Sequence, residues 1–312
     1  MEPALGDTAT KRVGGVLLYR WQGGARNFGD ELNTLLWPRL LPDFFDDDPA
    51  ELFLGIGSVL DARHARDVVK LVAGAGYGGY EPLPVLDASW VIHWVRGPRT
   101  ARQLGLSAAR ALGDPAMLLP QVGWKRAGGI SLGVGFMPHF ESVARGAWPT
   151  VAATAGIELI DPRGDPATIV TAIGRCHVLL SEALHGVIVA DALRVPWIAV
   201  RPLAPIHRAK WHDWADTLGL RIEFRRLAAS SLVEWLHTSR LSTLRSGHRL
   251  LRLSCPALRH IARRQFVEAA AQALMLAATA PPQLSAATAL QRCQSRMLDR
   301  LESVRRAPLR ID

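Results

Sequence analysis

The chain has few cysteines and no long apolar run. Its three cysteines, Cys176, Cys255 and Cys293, lie far apart and form neither a CxxC pair nor a Cys/His set with metal-ligand spacing. This argues against a disulfide framework and a structural zinc site, so a reducing cytoplasm is the expected compartment. Residues 1–20 lack the apolar core of a signal peptide, and no window of about 18 apolar residues predicts a membrane span. We expect a soluble or peripheral protein.

Motifs that mark several enzyme classes are also missing. The sequence has no GxxxxGK[ST] phosphate loop, no GxGxxG between a first strand and helix, no HExxH and no GxSxG. It has no carboxylate cluster with the spacing of metal ligands either. These absences argue against metal-dependent phosphoryl transfer and serine hydrolysis, and we expect no bound metal.

Lysine is scarce, and the excess positive charge is confined to one end of the chain. The 312 residues carry 37 Lys and Arg against 28 Asp and Glu, a formal charge of +9. Residues 1–237 hold equal numbers of basic and acidic side chains, so residues 238–312, with 13 Arg and 4 acidic residues, hold the whole excess. An anionic partner attracted by this excess charge is therefore expected to contact the last quarter of the chain.

Short apolar runs alternate with helical patterns in two successive sets. The first set begins at residues 16–19 and the second at residues 131–136, and the polar, glycine-containing residues 120–130 separate them. The pattern predicts an α/β fold with two Rossmann-like, doubly wound halves that face a cleft. We place the first Rossmann-like domain at residues 1–125, the second at residues 126–237, and a basic helical tail at residues 238–312.

Local signals predict where three helices begin. Asp165-Pro166 is typical of a helix start with Asp165 as the N-cap. The glycine turn that ends at Asp30 predicts a helix from about Glu31, capped by Asp30. Ser181, at the end of an apolar strand, is expected to cap the helix that starts near Leu184.

Sheets of this kind bind ligands at the carboxyl ends of their strands, so polar residues at these positions are candidate site residues. Arg96 and Arg99, which bracket Gly97-Pro98 after a strand, are predicted to form a fork for a carboxylate or phosphate. The full candidate set is Asn27, Gly29, Asp30, Ser58, Arg96, Arg99, His139, Ser181, His185 and Lys210.

Each candidate also has a plain structural interpretation. Ser181 and Asp30 are explained as caps, His185 as a histidine with a satisfied hydrogen bond, and the two arginines as surface ion pairs. Taken together, the candidates indicate a binding site, because cationic and proton-transferring side chains at several strand ends suit a small, multiply charged anion. The helix starts at residues 27–30 and 181–185 would assist through their N–H groups and dipoles.

The tail contains a basic amphipathic segment. Residues 248–264 place five arginines among leucine and isoleucine, a pattern typical of a surface that rests on anionic lipid. The alternative is that the C-terminal helices pack back on the first half with their arginines in solvent. The scarcity of aromatic residues among the arginines argues against nucleic acid as the partner.

Seven short motifs occur in a fixed order within residues 16–220. They are Asn27-Phe28-Gly29-Asp30-Glu31-Leu32-Asn33, Gly57-Ser58-Val59-Leu60, Gly74-Ala75-Gly76, Val95-Arg96-Gly97-Pro98-Arg99-Thr100, Gly113-Asp114-Pro115, Pro138-His139-Phe140 and Ser181-Glu182-Ala183-Leu184-His185-Gly186. Together they resemble the bacterial polysaccharide pyruvyl transferase family, of the ketal-pyruvate type used in exopolysaccharide synthesis. The resemblance places that family's functional His on His185 and its functional Arg on Arg96. Many relatives carry an arginine where this chain has Ala183, so one anion contact is expected to be missing or supplied elsewhere.

The resemblance implies a glycosyltransferase B-like fold and phosphoenolpyruvate as the donor substrate, with no separate cofactor. Pyruvate would pass to two hydroxyls of a hexose, in an exopolysaccharide or lipid-linked precursor, as a cyclic ketal. In this hypothesis His185 is a general acid/base or phosphate contact, Asp30 is the hydroxyl base, and Arg96, Arg99 and Lys210 hold the anionic groups.

Two rival functions stay open at this point. One is a metal-independent glycosyltransferase of the same architecture that uses a nucleotide sugar. The other is a non-catalytic, membrane-associated scaffold of polysaccharide assembly.

Overall fold

The first sheet has four parallel strands and forms the first half of the molecule. A computed structural model of the chain describes residues 16–21, 26–46, 49–128, 133–201, 205–238 and 256–306. The strands β1 (Val16–Leu18), β2 (Glu51–Leu54), β3 (Val69–Ala73) and β4 (Trp90–Trp94) lie in sequence order across the sheet. The helices α1 (Phe28–Leu40) and α2 (Pro98–Gln103) follow β1 and β4, and two 3-10 helices (Ala108–Arg110 and Pro115–Val122) complete this half.

The second sheet has five parallel strands and forms the second half. The strands β5 (Val134–Met137), β6 (Glu158–Leu159), β7 (Val178–Ser181), β8 (Trp197–Val200) and β9 (Phe224–Arg225) lie in the order β6-β5-β7-β8-β9. Its helices are α3 (Phe140–Arg145), α4 (Trp148–Ala155), α5 (Pro166–Arg175), α6 (Leu184–Ala192), α7 (Pro205–Thr217) and α8 (Leu232–Thr238). The predicted α/β class with two parallel sheets is confirmed.

The two C-terminal helices pack on different halves. The helix α9 (Pro256–Ala278) packs on α4 and buries Val267 and Leu274 in the core of the second half. The helix α10 (Ala287–Arg306) returns to the first half, where it packs on β4 and Met297 is buried in the core cluster that includes Trp94. The predicted helical tail is confirmed. The alternative that both helices pack on the first half holds only for α10.

One of the three predicted helix starts matches the structure. Asp165 caps α5 by accepting a hydrogen bond from the Thr168 N–H at 2.8 Å, as predicted. The prediction for α1 was wrong, because Asn27 is its N-cap and Asp30 lies in the first turn.

The predicted cap of α6 was also wrong. Ala183 occupies the N-cap position of that helix, and Ser181 is the last residue of β7. The Ser181 hydroxyl instead donates to the Ala183 carbonyl at 2.8 Å and accepts from the Ala183 N–H at 3.1 Å, within a local turn.

The two halves share one hydrophobic core. The helix α1 contacts α5 and α6, and the 3-10 helix Pro115–Val122 also packs on α6. Leu36 and Met117 from the first half are buried in the same cluster as Val187 and Ile188 from the second. Burial of this apolar surface holds the carboxyl ends of the two sheets in a fixed relation.

A second contact between the halves is polar and centres on Asp213 of α7, which we call the Asp213 junction. Its carboxylate accepts from Arg96 Nε at 3.1 Å, the Thr100 hydroxyl at 2.6 Å, and the N–H groups of Arg99 and Thr100 at 3.0 Å each. Asp213 therefore accepts hydrogen bonds from the N–H groups at the start of α2, although it belongs to the other half of the molecule. Its negative charge also complements the dipole of that helix. Gly97 is required here because a Cβ at this position would collide with the Asp213 backbone carbonyl.

Replacing Asp213 with Asn should destabilise the protein strongly, because it leaves the buried Arg96 guanidinium without its counter-charge. We expect a loss of about 3 kcal/mol in the free energy of unfolding, measured by urea denaturation. Asp216, one turn further along α7, pairs with Arg99 at the surface at 2.7 Å. Asp216→Asn is the matched control and should cost less than about 1 kcal/mol. Equal costs for the two variants would contradict a structural role for the junction.

Candidate active site

A cavity of about 320 Å³ lies between the two halves, at the carboxyl ends of their strands. Its walls come from the loops after β1, β2, β3, β5 and β7, and from the helix α7. The described residues that line it are Trp21, Asn27, Phe28, Gly29, Asp30, Gly57, Ser58, Val59, Arg63, Tyr80, Glu81, His139, Phe140, Glu141, Ala183, Leu184, His185 and Lys210.

Most of the candidate residues reach this cavity. Asn27, Gly29, Asp30, Ser58, His139, His185 and Lys210 all line it, although they are spread over more than 180 positions of the chain. The other three, Arg96, Arg99 and Ser181, are not among its lining residues. The strand-end rule thus gathers one site from both halves.

Asp30 is a buried carboxyl group at the cavity wall. Its Oδ2 accepts from Asn27 Nδ2 at 2.6 Å, and Asn27 Oδ1 accepts from the Gly29 N–H at 3.3 Å. Burial raises the pKa of Asp30, while the nearby charge of His185 and the Asn27 hydrogen bond oppose that rise. A carboxyl group with a raised pKa accepts a proton more readily than an ordinary aspartate, as a general base must.

The start of α1 is less suited to an anion than the sequence indicated, because its first N–H groups already have acceptors. Phe28 N–H donates to the Pro162 carbonyl at 2.9 Å, and Asp30 N–H donates to the Asn27 carbonyl at 3.0 Å. The start of α6 differs. Leu184 and His185 hold its first two positions, whose N–H groups have no acceptor within the helix, and both residues line the cavity.

His185 is held between two segments of the first half. Its ring lies against Gly29, where a Cβ would overlap Nδ1, so the side chain fits only because position 29 is a glycine. On the other side, His185 Nε2 lies 3.4 Å from Oδ2 of the fully buried Asp114. The imidazole is 15% exposed, so it is largely enclosed but still reaches the cavity.

The arginine fork expected at residues 96 and 99 does not form. Arg96 is completely buried and donates to Asp213 at 3.1 Å, to the Ser58 hydroxyl at 2.8 Å and to the Tyr77 carbonyl at 3.1 Å. Arg99 points elsewhere and pairs with Asp216 at the surface. Neither guanidinium group lines the cavity, because aspartates of α7 bind both of them.

Lys210 brings an ammonium group to the cavity from α7. Its Nζ lies 3.4 Å from the Tyr80 hydroxyl, to which it donates. Burial, assisted by the charge of Arg96, lowers the pKa of Lys210 to about 8. Burial around the Tyr80 hydroxyl raises the pKa of that group to about 12, so Tyr80 stays protonated at neutral pH.

His139 reaches the cavity from the end of β5. Its backbone N–H donates to Glu182 Oε2 at 2.9 Å, and its Nδ1 lies 3.9 Å from Glu141 Oε2. The buried Glu182 therefore fixes the turn that directs His139 and Phe140 into the cavity wall.

Comparisons with known proteins identify a family and a relative. The profile of the polysaccharide pyruvyl transferase family matches residues 85–202, which include His139 and His185. A relative in Rhizobium meliloti (strain 1021), the succinoglycan biosynthesis protein ExoV, is 39% identical over 227 residues, 69% of each chain. The chain belongs to the polysaccharide pyruvyl transferase family. No solved structure matches it significantly.

Membership of the polysaccharide pyruvyl transferase family confirms two expectations. The chain is a transferase, and its activity is pyruvyl transfer to a polysaccharide in exopolysaccharide biosynthesis. This excludes the non-catalytic scaffold as the primary function. Within the described ranges, no helix has the length and apolar character needed to cross a membrane.

Sequence analysis did not single out several residues of this candidate site, including the following four. Tyr80 and Glu81 follow the glycine run after β3, Glu141 follows His139, and Asp114 is the middle residue of Gly113-Asp114-Pro115. The last was recognised as a family motif but not as a neighbour of His185. In the part of the chain that the structure describes, no group of three or more His, Cys, Asp or Glu residues is arranged to hold a metal ion.

Proposed function

We propose that the enzyme transfers pyruvate from phosphoenolpyruvate to two hydroxyls of one hexose as a cyclic ketal. The observation that carries this proposal is the meeting of His185, Asp30 and Lys210 in one cavity of about 320 Å³. A proton donor, a proton acceptor and a fixed cation are the groups that this reaction requires. The volume suits a three-carbon donor with its phosphate and part of a sugar ring.

The chemistry balances with these groups alone. The first hydroxyl oxygen bonds to C2 of phosphoenolpyruvate, and C3 takes up a proton and becomes a methyl group. The C2–O bond to phosphate then breaks, and the second hydroxyl oxygen bonds to C2. One of the two hydroxyl protons replaces the proton that the enzyme gives to C3, and the other leaves with inorganic phosphate.

Each step has a residue of suitable chemistry. Asp30, with its raised pKa, takes the proton of the attacking hydroxyl, and His185 delivers a proton to C3. Lys210 and the first N–H groups of α6 hold the anionic donor. These groups stabilise the transition state more than the bound substrate, because negative charge moves onto the departing phosphate in the transition state.

Arg96 acts on this site through Ser58. A guanidinium group can only donate, so the Ser58 oxygen accepts from Arg96 and its own hydrogen remains free to donate. Ser58 lines the cavity, and we assign it a hydrogen bond to a donor oxygen. The role that the family resemblance gave to Arg96 thus becomes one of positioning.

The acceptor sugar enters from the side of Trp21. A second, wider cavity of about 900 Å³ adjoins the first and shares Trp21 and Arg63 with it. The indole of Trp21 is 36% exposed, and an apolar sugar face stacks well on such a ring. Further sugars of the precursor would occupy the wider cavity.

The two parallel sheets with a cavity between their carboxyl ends lead us to propose a glycosyltransferase B-like arrangement. The same architecture makes a nucleotide-sugar-dependent glycosyltransferase the second candidate. It predicts a different donor, so donor identity separates the two.

We also propose that the enzyme works at the cytoplasmic face of the membrane, with residues 248–264 on anionic lipid and no nucleic acid partner. This rests on the sequence pattern, since residues 239–255 and the side chains of residues 256–262 lie outside the described residues. Of the segment's arginines, Arg264 pairs with Glu268 of the same helix at 2.7 Å.

The proposal is tested with phosphoenolpyruvate labelled with carbon-13 at C2, incubated with the enzyme and hexose-containing oligosaccharides. Carbon-13 NMR should show the label moving from an enol carbon to a saturated ketal carbon in the oligosaccharide, with one phosphate released per ketal. A parallel incubation with nucleotide sugars should leave them unconsumed. Consumption of a nucleotide sugar, or release of the label only as free pyruvate, would contradict the proposal.

The low pKa of Lys210 predicts an alkaline limit to donor binding. The amine is charged below about pH 8 and neutral above it, so kcat/KM for phosphoenolpyruvate should fall as the pH rises through about 8. Lys210→Arg should keep binding at alkaline pH, because a guanidinium stays protonated. Lys210→Met should weaken binding roughly 10- to 100-fold at pH 7. An alkaline limb that is unchanged in Lys210→Arg would show that another group titrates.

A further inference from the structure

Asp114 and His185 form a buried pair whose facing atoms have no other partner. Asp114 Oδ2 and His185 Nε2 lie 3.4 Å apart, and neither makes a hydrogen bond to any other group of the described residues. The two atoms do not form a hydrogen bond with each other in this geometry. A buried carboxylate oxygen and ring nitrogen without partners are costly, so such a pair needs an explanation.

We infer that Asp114 is the positioning residue of His185. A carboxylate oxygen can only accept, so it holds the proton on Nε2 and leaves Nδ1, at the cavity wall beside Gly29, for exchange with the substrate. A small tilt of the ring on substrate binding closes the hydrogen bond, as happens in sites whose apo geometry is loose. This role rests on the function proposed above.

Asp114 is fixed more firmly than an ordinary surface aspartate. Its Oδ1 accepts from the Ala116 N–H at 3.0 Å, and its backbone follows Gly113, whose φ of +132° is accessible mainly to glycine. Pro115 continues into the 3-10 helix that packs on α6, the helix that carries His185. The carboxylate and the imidazole are therefore mounted on two elements of one packed core.

Other charged groups lie near this pair and influence any measurement of its pH dependence. His185 and Lys210 of α7 both act electrostatically on Asp30 of α1. Asp30 differs from Asp114 in that it lines the cavity, where it meets the substrate. The tautomer of His185 is therefore a more direct readout of Asp114 than a pH profile, to which all of these groups contribute.

The test compares Asp114→Asn with wild type by nitrogen-15 NMR of the histidine rings, and by steady-state kinetics. Asn keeps an oxygen for the Ala116 cap but turns an NH₂ group toward Nε2, which must then become an acceptor. We expect the neutral His185 ring to carry its proton on Nε2 in wild type and on Nδ1 in the variant. We expect kcat to fall at least about tenfold while KM for phosphoenolpyruvate changes little.

Asp165→Asn is the matched control, because Asp165 also precedes a proline and caps a helix, but lies outside the cavity lining. It should change neither the His185 spectrum nor kcat. A wild-type ring with its proton on Nδ1 would overturn the inference, and this holds even if Asp114→Asn fails to fold. So would a variant with unchanged tautomer, or one with unchanged kcat in an active enzyme.

The two proposals fail separately. The tautomer is read without substrate, so a switch in Asp114→Asn supports the positioning role even if the wild type forms no ketal from phosphoenolpyruvate. Failure of the wild type to form a ketal from phosphoenolpyruvate would refute the proposed function alone.

Discussion

The ion pair of Arg96 with Asp213 is the constraint on which the site depends. It joins the start of α2 in the first half to α7 in the second, and both partners are buried. Arg96 also holds Ser58, and α7 also carries Lys210, so one contact sets both walls of the cavity relative to each other. Breaking it leaves a buried charge without a partner, which a protein of ordinary stability tolerates poorly.

This arrangement separates the cations that hold the fold from those that face the substrate. Arg96 and Arg99 are occupied by aspartates of α7, whereas Lys210 projects from the same helix into the cavity. Burial moves the pKa of Lys210 down and that of Asp30 up, toward each other and toward neutrality. Both groups are thereby suited to bind an anion and exchange a proton near physiological pH.

The sequence was informative wherever local patterns decide the structure. The alternating apolar runs predicted two parallel sheets, Asp165-Pro166 predicted the start of α5, and the strand-end rule gathered seven cavity residues. The sequence did not predict contacts between segments that lie far apart in the chain. The partner of Arg96 lies 117 positions away in α7, and the neighbour of His185 is Asp114, on an element of the other half. Ser181 and Asp30 were wrongly assigned as caps, because the N-caps are Ala183, whose side chain cannot accept a hydrogen bond, and Asn27, three residues before Asp30.

The most direct test of this account replaces His185 with Gln and measures pyruvyl transfer together with phosphoenolpyruvate binding and thermal unfolding. The rate should fall at least about a hundredfold, while donor binding changes less than about tenfold and the melting temperature stays near that of wild type. The exposed His177, just before β7, provides the control, and His177→Gln should behave as wild type. A near-normal rate in His185→Gln would contradict the central claim that this histidine moves the proton.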